Sequence, residues 1–115
     1  MTHSQSVAAW LATRTPAPPR HLGQRVEALC AQRAVRRAAS DDATIAEQLL
    51  DATEDAMRAL LPHGCLTRES ALELLAADAI VTYAFEASAD QPEQIEQLAG
   101  AALARIAALT EPYDA

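Results

Sequence analysis

"LLAADAIVTYAFEA", residues 74–87, is strongly apolar yet carries an aspartate, Asp78, near its middle. Its surroundings read as a helix over about residues 68–88, opened by Thr67 as N-cap. At about 100° per residue, Leu72, Leu75, Ala79 and Tyr83 fall on one flank of the apolar arc, and Leu74, Val81 and Phe85 on the other. Asp78 and Thr82 point between these flanks, while Glu69 and Glu73 lie roughly opposite, where solvent is expected. The phase therefore predicts Asp78 at the centre of a buried face. An ionised carboxylate there is costly unless it is paired or hydrogen-bonded.

Working outward, the chain reads as helix nearly throughout. Val7, Trp10 and Leu11 form one stripe on a short first helix of about residues 4–13, and the prolines of "TPAPP" break it. A second helix is expected over about 20–39. A third runs over about 42–61, with Ser40 and Asp41 as N-cap candidates and "PHG" at its end. A fifth covers about 91–109, capped by Asp90 with Pro92 in its first turn. There is no strand-like alternation, repeat or low-complexity tail.

These readings predict an all-α fold. It is a small antiparallel bundle of four main helices, plus a short N-terminal helix joined by the proline-rich segment. One domain spans 1–115, with 1–19 as helix and strap and 20–110 as bundle. The strap could lay the first helix on its own bundle or reach a second subunit. At 115 residues such a domain holds a core without staples. With only four aromatic residues and abundant alanine, that core is expected to be thin.

Charge is divided along the chain. Residues 1–40 carry six arginines against one acid, a net +5. Residues 41–115 carry three arginines against fifteen acids, a net −12, giving −7 in all. The expectation is that the two parts attract each other within the fold or across a dimer. Net acidity argues against nucleic acid as a partner of Arg33, Arg36 and Arg37. Every basic residue is arginine, which, with so much alanine, suggests a GC-rich bacterial source. No stretch reaches the ~18 charge-free apolar residues of a membrane span. The first residues lack the pattern of a signal peptide, so a cytoplasmic protein is expected.

A partner for Asp78 is offered by the second helix. Its apolar stripe through Leu22, Val26, Leu29 and Cys30 continues to Arg33, flanked by Arg36 and Arg37. A forked guanidinium suits a carboxylate, so Asp78 is predicted to pair with Arg33, or failing that Arg37, as a buried pair that fixes helix register. The alternative is a small-ligand pocket formed by Asp78, Thr82, Tyr83 and Arg33. In the third helix Ile45, Leu49, Ala52, Ala56 and Leu60 form the buried stripe. Glu47, Asp51, Glu54 and Asp55 read as its solvated face, with Glu54 and Arg58 as an ordinary helix pair.

The Ala77–Asp78 step followed by aliphatics and "AFE" at 84–86 resembles a helix of polyprenyl diphosphate synthases. That family's aspartate-rich metal-binding motifs are absent, since Asp41 and Asp42 have no matching aspartate four residues on. No activity is carried over.

Other candidate chemistry is thin. His21 and Cys30 fall on opposite faces of one helix and so cannot join His63 and Cys65 in a zinc site, and no CxxC or HxxxH spacing occurs. His63 and Cys65 lack a third group to orient a base. Cys30 reads as a small core residue. None of the three glycines makes a phosphate-cradling loop. No cofactor or metal is implied. Gly100 and Ala104, with Ala101 and Ala108, give the fifth helix a small-residue flank beside its stripe of Ile95, Leu98, Ala102, Ile106 and Leu109. The function expected is therefore protein association without catalysis, as a homodimer or as an accessory or regulatory subunit. Val7, Trp10, Leu11, Gly100 and Ala104 are the interface candidates.

Overall fold

The computed structural model describes residues 6–36, 43–63 and 67–109. It is an all-α bundle: α1 (Val7–Leu11), α2 (Arg20–Arg36), α3 (Ile45–Leu60), a 3₁₀ turn (Leu61–His63), α4 (Arg68–Ala87) and α5 (Pro92–Leu109). Among the described residues there is no strand.

Helix ends follow local hydrogen-bonding chemistry. Thr44 caps α3 by accepting from the Glu47 amide at 3.0 Å. The predicted caps Ser40 and Asp41 lie outside the described residues. Thr67 caps α4 as predicted and shares a reciprocal box with Ser70, which satisfies two otherwise orphaned amides. For α5 it is the Gln91 carbonyl, one residue after the predicted Asp90, that accepts the first helical bonds. Pro62 of the "PHG" reading sits in the turn that stops α3, while Gly64 lies outside the described residues.

Packing centres on α3, which contacts every other helix and lies most extensively against α4. Leu49, Ala52, Ala56 and Leu60 of the predicted stripe are buried, joined by Ala46, Leu50 and Thr53. The Thr53 hydroxyl is satisfied by donating to the Leu49 carbonyl at 2.9 Å. Opposite them Ala76, Ala77, Ile80 and Ala84 of α4 are sealed from solvent, and Val26 and Leu29 close the core from α2. Alanines thus supply much of the contact between helices. They allow close approach but bury little area each.

The short α1 folds back onto its own chain. Trp10 is buried, meets the Tyr83 ring edge-on at 6.0 Å and carries the Arg14 guanidinium over its face at 4.0 Å. Val7 and Leu11 pack against the same core. The proline strap comes close to α2 at Gly23, where an added Cβ would stand 3.2 Å from Pro18 Cγ.

Candidate functional site

The predicted pairing of Asp78 with Arg33 does not form. Asp78 is exposed, and Thr82, also exposed, turns its hydroxyl back to donate to the Asp78 carbonyl at 2.8 Å. The reason lies in α4 itself. It is apolar on nearly all sides, so several rotations would bury comparable area. The one adopted puts Ala76, Ala77, Ile80 and Ala84 inward, leaving Leu75 and Leu74 exposed. Small alanines against α3 permit an approach that the bulkier flanks would prevent. Tyr83 is committed to Trp10, and Arg33 is engaged elsewhere, so these four side chains do not converge on one pocket.

Arg33 is buried as expected, with its side chain only 6% exposed, but its partner is Asp51 of α3, at 2.9 Å. Arg105 of α5 reaches the other oxygen of Asp51 at 2.7 Å and approaches Glu54 at 3.7 Å. Glu54 also accepts from Arg58 at 2.6 Å, as predicted. On the acidic side of α3, Glu47 and Arg58 are exposed as expected, but Asp51 and Glu54 are not the solvated groups read from periodicity. These two form a charged seam along which α2 and α5 are fastened to the central helix. Buried arginine here is no phosphate contact, because its charge is already matched.

Among the described residues, Arg14–Glu86, Arg25–Glu73 and Arg33–Asp51 join the basic first part of the chain to the acidic remainder. The charge asymmetry is thus used, at least in these pairs, inside one molecule.

Two of the concave features among the described residues border α4. A cleft of about 330 Å³ between α2, α3 and the start of α4 is edged by Arg25, Gln32, Arg33, Asp55, Glu69 and Glu73. Its two arginines are held by Glu73 and Asp51, so it offers no uncommitted cation to an anion. The second feature lies between α4 and α5. Because α5 packs chiefly on α3, a groove opens beside α4 whose lining is wholly apolar, through Val81, Phe85, Ala99, Ala102, Leu103 and Ile106. Leu103 on its rim is 74% exposed. Gly100 and Ala104 are exposed on the same helix, and a Cβ added at Gly100 would meet nothing within 4 Å.

Of the interface candidates, Trp10 is buried and Val7 and Leu11 are half-buried against the chain's own core, whereas Gly100 and Ala104 face outward next to the groove. Sequence reading passed over Leu103. Its signal was an isolated leucine among alanines, one step off the buried stripe of α5.

Among the described residues no group of histidine, cysteine, aspartate and glutamate could hold a metal ion. Burial pushes the Cys30 thiol up to about 11 from 9.0 against the lowering effect of Arg33, so at neutral pH it is not a thiolate nucleophile. His63 and Cys65 fall on residues whose side chains lie outside the described set. No described helix is long and apolar enough to cross a membrane. No protein-family model, curated protein or solved structure matches the chain.

Proposed function

We propose that this protein works by associating with another polypeptide through its α4–α5 face, without catalysing a reaction. The observation that carries this reading is the groove bounded by Phe85 and the 74%-exposed Leu103. Large aliphatic side chains left in water along an apolar cleft gain free energy when a partner covers them, at about 25 cal/mol per Å². The flanking Gly100 and Ala104 leave room for a second backbone to approach.

A photo-crosslinking side chain at position 103, with position 24 as an exposed control on α2, tests the reading in cell extract. Position 103 should capture a polypeptide, a second copy included, and position 24 should not. Equal capture at both positions, or none at either, defeats the association reading.

A further inference from the structure

We infer that the occupant of the α4–α5 groove is a basic amphipathic helix from another protein, an inference that rests on the association reading above. The argument is one of charge around an apolar slot. Asp78 stands three and seven residues before Val81 and Phe85, so helical phase puts it on the same side of α4 as the groove wall. Glu96 stands three and seven residues before Ala99 and Leu103 and shares their side of α5. Both carboxylates are exposed, and no ion pair of the structure engages either with a described residue.

The arginines of these helices are placed elsewhere. Arg105 is directed to Asp51 and Glu54 of α3, and Arg68 lies on the side of α4 that carries Glu86, away from Val81 and Phe85. The groove is thus apolar in its floor with one exposed carboxylate beside each wall, Asp78 on α4 and Glu96 on α5, within a chain of net charge −7. A helix with apolar residues at i, i+3, i+4 and i+7 would fill the floor, and lysines or arginines beside that stripe would meet Asp78 and Glu96. A second copy of this chain would bring the same carboxylates face to face, which disfavours it as the occupant. The exposed Asp78, which the sequence alone made a core residue, becomes in this reading a recognition residue.

The test uses the full chain and two labelled peptides of about 18 residues, long enough for a helix to form on contact. One has leucine in helical period with lysine elsewhere; in the other each lysine is glutamate. The lysine peptide should bind one to one and weaken as salt rises from about 50 to about 500 mM. The glutamate peptide should bind at least ~10-fold more weakly. Asp78→Asn with Glu96→Gln should cost about tenfold and flatten the salt dependence. Leu103→Lys, at an exposed position that folding does not depend on, should abolish the complex.

Equal binding of both peptides, or lysine-peptide binding that ignores the Leu103 and carboxylate substitutions, overturns the inference. So does absence of binding by either peptide. If light scattering instead shows a dimer that Leu103→Lys dissociates, a second copy fills the groove: the basic-helix inference falls and the association reading stands.

Discussion

Arg33 donates to Asp51 across 2.9 Å from a side chain that is only 6% exposed, and Arg105 of α5 closes on the other oxygen of the same carboxylate. One aspartate on the central helix thereby fixes two others to it. Its own side chain is 18% exposed, sheltered enough for the pairing with Arg33 to escape much of the screening that weakens surface pairs.

Removing that aspartate should be far more damaging than removing Asp78. Asp51→Ala leaves a buried guanidinium without its carboxylate, at a cost of about 3–5 kcal/mol, whereas Asp78→Asn alters an exposed group and should fall within about 0.5 kcal/mol of the parent. Arg33→Met combined with Asp51→Leu should recover much of the loss, because an apolar pair avoids the desolvation of two charges. Urea denaturation read by circular dichroism gives all three values. A costly Asp78→Asn beside a mild Asp51→Ala would contradict the seam.

Trp10, the one tryptophan of the chain, reports whether α1 stays docked. Trp10→Ala should destabilise by about 3–5 kcal/mol, since it removes the largest side chain of the strap together with its Tyr83 and Arg14 contacts. Tyrosine at 83 changed to alanine should shift Trp10 emission to longer wavelength in the folded protein. Emission unchanged by Tyr83→Ala would show that the ring is held by other contacts.

Cys30 gives a pH signature of definite sign. Its folded pKa of about 11 lies above the ordinary 9.0, so its contribution is fully present below pH 9 and is lost as pH rises towards 11. Stability should therefore fall over that window in the parent and fall less in Cys30→Ala. In a Cys65→Ser background, alkylation of Cys30 near pH 8 should run ~100-fold slower than that of an unshifted thiol. Alkylation at the rate of a free cysteine would show the thiol to be solvated.

Much of the fold could be read from residues alone, for reasons that differ from helix to helix. In α3 the apolar positions recur mainly on one side, so Leu49, Ala52 and Ala56 are the buried residues expected; in α5 only Leu98 and Ala102 of the expected stripe are buried. Thr67 was legible as a cap because a hydroxyl before a polar first turn has few better uses. The face of α4 was not legible. With leucine, valine and phenylalanine around most of its circumference, periodicity gives no preference, and the choice falls to alanine contacts with α3 that only tertiary packing reveals.

Arg33 was visible as a cation on an apolar stripe, yet its partner was hidden. Asp51 sits at the border between the buried and charged sides of α3, and whether a border residue meets water or a neighbouring helix depends on where α2 and α5 cross it. The groove was hidden for a related reason. Leu103 reads as one more leucine until α5 is seen to lean on α3 and away from α4.

The ion pairs of Arg14, Arg25 and Arg33 with the later part of the chain bear on what happens if the backbone is severed between α2 and α3. The resulting fragments carry +5 and −12, and the contacts of Arg14, Arg25 and Arg33 become bonds between molecules. Opposite charge would draw the pieces together by long-range attraction before Val26, Leu29 and Trp10 find their seats against the larger piece. The bundle is in that sense a pre-matched pair, suited to reconstitution from separately made halves.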